Sequence, residues 1–248
     1  MTTVIQSDLA QLSQLRDSLP QLEAELRRRQ GLKLNRYYPD EGPLCRELYA
    51  KSMEHFAAGL EHRERLVLAA NRVGKSEGMG GYEVALHLTG LYPHWWPGRK
   101  FTEPGEWFAC NQTWADARDI NQAILCGPPT RPEEWGTGLI PAEKVIRYIP
   151  NPHVKDGILG VLVRHASGGI SDLQFKSYEP GYKAFMGRSK QGIWLDEEPD
   201  IPVYTECLLR TMTTGGMVIA TFTPLKGRTP LIRDFLAQAV NREKLTLL

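Results

Sequence analysis

Two short runs of residues, far apart in the chain, are suited together to hold and cut a phosphorylated ligand. Ala69-Ala70-Asn71-Arg72-Val73-Gly74-Lys75-Ser76 follows an apolar run, Leu66-Val67-Leu68, and precedes a helix-like stretch beginning near Glu77. The order matches G-x-x-x-x-G-K-[ST], with alanine in place of the first glycine. A strand that ends, a turn whose N–H groups face inward and a helix N-terminus make a cradle for phosphate. Lys75 is then placed to reach the β- and γ-phosphates and Ser76 to offer its hydroxyl to Mg²⁺. The nucleotide-binding set read from this run is Ala70, Asn71, Arg72, Val73, Gly74, Lys75, Ser76 and Glu77. The second run, Ile193-Trp194-Leu195-Asp196-Glu197, is an apolar strand ending in two acids. Ligands of open parallel sheets bind at the carboxyl edge of the strands, beside such a loop. Asp196 is therefore expected to hold Mg²⁺ through water, and Glu197 to polarise an attacking water. A carboxylate directly after the metal aspartate suits a hydrolase, whereas a kinase must keep water out.

A third stretch, Thr221-Phe222-Thr223-Pro224-Leu225-Lys226-Gly227, closes an apolar strand over Met217–Phe222. Its threonine hydroxyls are able to bond the attacking water or Glu197 and so sense the γ-phosphate. Read by itself, Pro224 with Gly227 makes a turn.

These residues need a scaffold, and the pattern from Leu66 onward supplies one. Strands are expected at Leu66–Ala70, Glu106–Cys110, Val145–Ile149, Val161–His165, Asp172–Ser177, Gly192–Leu195 and Met217–Phe222. Helices are expected at Glu77–Leu88, Thr113–Leu125, Val203–Met212 and Pro230–Val240. Strands alternating with helices predict an α/β fold, a mostly parallel central sheet with helices on both faces. Residues 127–152, rich in Pro and Gly, read as an excursion from it. His94-Trp95-Trp96-Pro97-Gly98 is a loop that either buries its aromatics as a lid or presents them for stacking. Upstream, Tyr37, Tyr38, Tyr49, Met53 and Phe56 recur at helical spacing, and a few of them are placed to wall a pocket for a base.

The first 31 residues read as an N-terminal helical arm, with residues 32–248 as the main domain. Leu12, Leu15, Leu19, Leu22 and Leu26 form an apolar stripe, Arg27-Arg28-Arg29 suits a helix C-terminus and Gly31 the stop. The arm either packs on the main domain or docks another protein. At 248 residues and 42% hydrophobic content the chain is long enough for one large soluble domain. No apolar run approaches membrane-spanning length, so no membrane partner is expected. Cys45, Cys110, Cys126 and Cys207 have no metal-like grouping and read as reduced thiols of a cytoplasmic protein. A net charge of +1 argues against a sequence-specific DNA reader, though not against transient grip on DNA.

In order and spacing, these motifs resemble the large terminase subunit of tailed bacteriophages, over about residues 45–230. The residues that carry the likeness are Asn71-Arg72-Val73-Gly74-Lys75-Ser76, Trp194-Leu195-Asp196-Glu197-Glu198-Pro199 and Thr221-Phe222-Thr223-Pro224 with Gly227. Phe175-Lys176-Ser177-Tyr178-Glu179 and Phe185-Met186-Gly187 are similar to the family's lead-in to its acidic strand. The resemblance implies a P-loop ATPase of the additional-strand, catalytic-glutamate class, with the Thr221 strand between the phosphate-loop strand and the Asp196 strand. It implies ATP and Mg²⁺ as ligands, Glu197 as catalytic base, Lys75 on the phosphates, Ser76 and Asp196 on the metal, and Thr221 with Thr223 as the motif coupling hydrolysis to movement; Arg72, one position from the family's loop arginine, is a further catalytic candidate. It further implies double-stranded DNA, the portal protein and a small terminase subunit as partners, and a homo-oligomeric ring on the portal vertex of a procapsid in the host cell cytoplasm. Arg188 and Arg210 are candidates for an arginine supplied in trans.

Three departures accompany the likeness. Where many members carry the loop arginine this chain has Asn71, with Arg72 one position later. Where members often carry an upstream glutamine it has Ser52, which leaves adenine specificity without that support. With the last residue at Leu248, the ATPase portion alone is expected, without the nuclease of complete large subunits. Readings that share the phosphate loop are a small-molecule kinase, which fits the Asp-Glu pair badly, a helicase-like DNA translocase, and a scaffold that does not hydrolyse.

Overall fold

The computed structural model describes residues 32–70, 72–240 and 245–247; the expected arm over 1–31 lies outside them. Eight strands form one sheet in the order β3-β4-β5-β2-β6-β7-β1-β8. They are β1 (Glu64–Leu68), β2 (Glu106–Asn111), β3 (Val145–Pro150), β4 (Ile158–Arg164), β5 (Ile170–Ser177), β6 (Gly192–Asp196), β7 (Met217–Phe222) and β8 (Leu245–Leu247). From β5 to β8 every neighbouring pair is parallel. β3 and β4 extend the β5 edge as antiparallel strands, so the Pro/Gly-rich excursion ends by rejoining the sheet. β7 lies between β6 and β1, the position expected of the additional strand.

Side-chain alternation along β6 shows how one strand feeds two cores. Trp194 enters one face with Phe56, Tyr82, Leu86, Trp96 and Trp107. Ile193 and Leu195 enter the other with Leu66, Phe108, Cys207 and Phe235. Helix α1 (Ala50–Ala57) and the long helix α2 cover the first face. α2 begins with π-helical turns over Lys75–Gly81 and continues as Tyr82–Thr89. α3 runs through Trp114–Asp116, Ala117–Gln122 and Ala123–Cys126. Helices α4 (Ile201–Met212) and α5 (Pro230–Val240) cover the second face. Trp96 is buried and its ring centroid stands 4.7 Å from that of Phe56, so the Trp95-Trp96 loop is a lid on the core.

β1 begins two residues earlier than its apolar run suggests, because Arg65 is fully buried within it. Its guanidinium donates to both oxygens of Glu83 on α2, at 3.0 and 2.7 Å, and to the carbonyl of His55 at 2.8 Å. His55 and His87 also reach the Glu83 carboxylate, each at 3.1 Å. An ionised carboxylate only accepts, so both imidazoles donate from Nε2. Burial would push the Glu83 carboxyl up, but Arg65 and the two histidines hold it well below the usual range. Burial keeps both imidazoles below their ordinary pKa. This cluster clamps the strand that enters the phosphate loop to the helix that leaves it.

Candidate nucleotide-binding and hydrolysis site

The phosphate loop is shaped by its backbone. Gly74 has φ +84°, the left-handed conformation that glycine adopts without strain, and it leads straight into α2. As N-cap it has no side chain with which to satisfy the first N–H groups of the helix. Arg72 takes φ +65° without being glycine, a conformation with a cost of about 1–3 kcal/mol of the kind that functional loops store. Lys75 is the first residue of α2 and is buried, whereas Arg72 and Val73 are exposed on the loop. Asn71 lies outside the described residues.

Asp196 ends β6 with only 1% of its surface exposed. Ser76 and Thr221 each donate a hydroxyl proton to its Oδ1 at 2.8 Å, and the Asn111 amide donates to its Oδ2 at 3.3 Å. Its neighbours are thus hydroxyls and an amide rather than cations. Burial pushes the Asp196 carboxyl up to about 6; the bonds from Thr221 and Ser76 oppose this, the Glu197 charge adds to it and the Lys75 charge opposes it. A buried carboxylate beside a serine hydroxyl, with no counter-ion in contact among the described residues, is a fitting set for Mg²⁺. Mg²⁺ characteristically takes one or two protein oxygens and completes its shell with phosphate and water. Among the described residues no group of three or more His, Cys, Asp or Glu gathers into a metal cage.

Glu197 follows in a left-handed conformation, φ +68°. Its N–H bonds the Thr221 carbonyl at 3.1 Å, and the Tyr178 hydroxyl is shared between the carbonyls of Asp196 and Glu197 at 3.2 and 3.1 Å. These contacts hold a strained peptide in place and leave the half-buried carboxyl free of the sheet. Burial raises its pKa against the Lys75 charge, with Asp116 and Glu198 adding to the rise. Thr223 lies just beyond the end of β7 and donates to the Ala69 carbonyl at 3.0 Å, joining this strand's end to the start of the phosphate loop.

Over 213 residues the chain is 36% identical to the large terminase subunit of Salmonella phage P22. The chain is homologous to the large terminase subunit of bacteriophages. The match takes in 79% of this chain and 42% of the P22 subunit, so the chain spans less than half the length of this relative. No family model matches the sequence. The fold is similar to that of the large terminase of a thermophilic bacteriophage in complex with ADP, at a TM-score of 0.54 and 11% identity over 79% of this chain and 44% of that one. It is also similar to the HK97 bacteriophage large terminase, at a TM-score of 0.50 and 13% identity over 79% of this chain and 38% of that one. At such identities the structures carry the fold, a P-loop NTPase with mostly parallel strands and helices on both faces.

Relative to the terminase motifs, the structure brings together Lys75, Ser76, Asp196, Glu197 and Thr221 at the carboxyl edge of β1, β6 and β7. Beside them a cavity of about 270 Å³ is walled by Tyr37, Tyr38, Tyr49, Ser52, Arg72 and Glu77. Tyr38 donates to the Gly78 carbonyl at 2.6 Å, and Lys33 pairs with Glu77 at 2.6 Å. Ser52, at the position where members of the family often carry a glutamine, lines this cavity. A larger cavity, about 460 Å³, opens at the opposite edge of the sheet among Glu106, Arg188, Gln191 and Thr214, away from the phosphate loop.

The two candidate arginines lie at that opposite edge. Arg188 is 3.8 Å from Glu106 at the start of β2, and Arg210 pairs with Glu206 at 3.0 Å. β6 runs from their edge to that of Asp196, so neither joins the phosphate loop of its own chain. Sequence reasoning missed Asn111, Tyr178 and the donor function of Trp194. Asn111 directly follows the apolar run that ends at Cys110. A polar residue there, on the parallel neighbour of the acidic strand, is the signal that would have found it.

Proposed function

We infer that this chain is the ATP-hydrolysing motor part of a phage DNA-packaging terminase. The observation that carries this reading is the convergence of the Lys75 loop with Asp196 and Glu197, within a chain homologous to a large terminase subunit. Lys75 and the first N–H groups of α2 bind and orient the β- and γ-phosphates. The cavity beside Tyr37 and Tyr49 takes the base. Ser76 and Asp196 hold Mg²⁺, which when bound supplies charge neutralisation on the phosphate oxygens. Glu197 accepts the proton of the attacking water, and its raised pKa brings it closer to the pH at which a general base works best. Arg72 is the loop arginine that faces the triphosphate. Thr221 and Thr223 transmit the change at the γ-phosphate into the sheet.

On this reading the partners are double-stranded DNA, the portal protein, a small terminase subunit and further copies of the chain in a ring, at the procapsid portal in the host cytoplasm. Arg188 or Arg210 acts only in trans, through a neighbour docked at the opposite edge. Among the described residues no helix is long and apolar enough to cross a membrane. The test is phosphate release from ATP with and without candidate small-molecule acceptors. Acceptor-independent release that Glu197→Gln abolishes while ATP still binds supports the motor reading. Transfer to an acceptor, or full turnover by Glu197→Gln, overturns it.

A further inference from the structure

Trp194 has a use beyond packing. It is fully buried on β6, two residues before Asp196 and on the same face of the sheet. Its indole Nε1 lies 2.7 Å from the Thr221 hydroxyl oxygen, which is itself 2.8 Å from Asp196 Oδ1. An indole N–H only donates, so Thr221 accepts from Trp194 and is left with one proton, which it gives to Asp196. The polarity of the chain Trp194 → Thr221 → Asp196 is therefore set by the donor inventory. The same indole edge lies against α2 at Gly80, where a Cβ would overlap the ring. One side chain thus touches the helix that leaves the phosphate loop, the acidic strand and the strand of the threonine motif.

We propose that Trp194 is a positioning residue that locks Thr221 as a one-way donor to the Asp196 carboxylate, so that this oxygen keeps a fixed partner when the Ser76 hydroxyl turns away to a metal ion. The proposal rests on the reading of Ser76 and Asp196 as metal-holding residues. Without the indole proton the Thr221 hydroxyl is free to rotate, and Asp196 Oδ1 loses its oriented donor at the moment Ser76 leaves it. The effect falls on the metal and leaves the bare nucleotide alone, because Lys75 and the α2 N–H groups are untouched.

Three readouts test this on the whole chain: nucleotide affinity in EDTA, the Mg²⁺ concentration that half-saturates binding at fixed ATP, and the Trp194 indole N–H resonance of the unliganded protein. Thr221→Val should move the indole resonance and raise the half-saturating Mg²⁺ about ten- to a hundredfold, as expected for one lost hydrogen bond to a charged group. Thr221→Ser should leave both near wild type. Trp194→Phe should match Thr221→Val on Mg²⁺, leave affinity in EDTA within about twofold, and add little in the double variant. An unmoved indole resonance in Thr221→Val, wild-type Mg²⁺ dependence in Trp194→Phe, or multiplying effects would overturn the proposal. Should Trp194→Phe fail to fold, the Val and Ser variants at position 221 decide it. A wild-type chain with no Mg²⁺-dependent nucleotide binding would sink the functional reading instead, while the indole resonance would still report the hydrogen bond.

Discussion

Ser76 and Asp196, 120 residues apart in the chain, share a hydrogen bond of 2.8 Å. The first lies in the opening turn of α2, the second at the end of β6, two strands away from the strand that feeds α2. Such a contact requires the parallel register Asp196↔Thr221 between β6 and β7 and the parallel pairing of β7 with β1. A register slip of one residue would turn Asp196 to the other core. The bond is thus the point at which the topology of the sheet becomes the chemistry of the site.

The buried Asp196 charge should cost the unliganded protein stability at neutral pH. Its carboxyl is raised from 3.8 to about 6, so the folded state binds this proton more tightly than the unfolded chain does. The stability it contributes is complete below about pH 4 and is lost as pH rises through about 6. Asp196→Asn removes the charge but also loses the acceptor for Asn111. The variant should therefore melt a few degrees above wild type at about pH 8 without nucleotide, and at or slightly below it at about pH 4. Calorimetry across this range checks it; parallel curves for the two proteins would contradict the burial argument.

Arg65 and Glu83 lead to an asymmetric expectation. Both are fully buried and paired at 2.7 Å, so either single removal leaves an uncompensated charge in the core. Arg65→Met or Glu83→Leu alone should cost about 3–5 kcal/mol. The double variant should cost less than either single one, because no charge is stranded. Urea unfolding of the three variants measures this, and additive costs would show that the pair is not acting as a unit.

How legible is such a site in the sequence? Where local pattern and packing agree, the reading is close: Met217–Phe222 and Pro230–Val240 coincide with β7 and α5. Where a buried charge or a glycine carries tertiary information, it slips. β1 reads late because Arg65 looks exposed until its partner Glu83, 18 residues on, is known. α2 reads only from Glu77, because Gly78, Gly80 and Gly81 weaken helix propensity yet let Trp194 and α3 approach. The phosphate loop and the acid pair are visible because their chemistry is written in adjacent residues. Asn111, Tyr178 and the Trp194 donor are not, because they enter through register between strands distant in sequence. Arg188 stands close to Asp196 in sequence, but a strand lies between them and carries the chain across the sheet.

Lys75 should matter as a positioned charge. It is buried at the head of α2, and its field opposes the raised pKa of both Asp196 and Glu197. Lys75→Ala removes a charged hydrogen bond to phosphate and should weaken ATP binding by about 10- to 100-fold. It should also raise the apparent pKa of Glu197, moving the acid limb of any residual hydrolysis to higher pH. Equilibrium binding of a fluorescent ATP analogue and a pH–rate profile test both effects; unchanged affinity would remove Lys75 from the phosphate cradle.

Thr223 offers a test of coupling apart from chemistry. Its hydroxyl bonds the Ala69 carbonyl at 3.0 Å, where the phosphate loop leaves β1. Thr221, two residues earlier, bonds Asp196. The end of β7 is therefore held at one point by the loop and at another by the acidic strand, so a shift of either reaches the other through this short segment. Thr223→Val keeps the branched shape and deletes only the hydroxyl, leaving Ala69 without that donor at a cost of about 1 kcal/mol. ATP affinity should then stay within about threefold of wild type, while DNA packaging, scored as DNA protected from nuclease inside procapsids, should fall by a larger factor than ATP turnover. Normal packaging by Thr223→Val would reduce the stretch Thr223-Pro224 to a turn, and an equal loss of ATP binding would make the hydroxyl part of the nucleotide cradle.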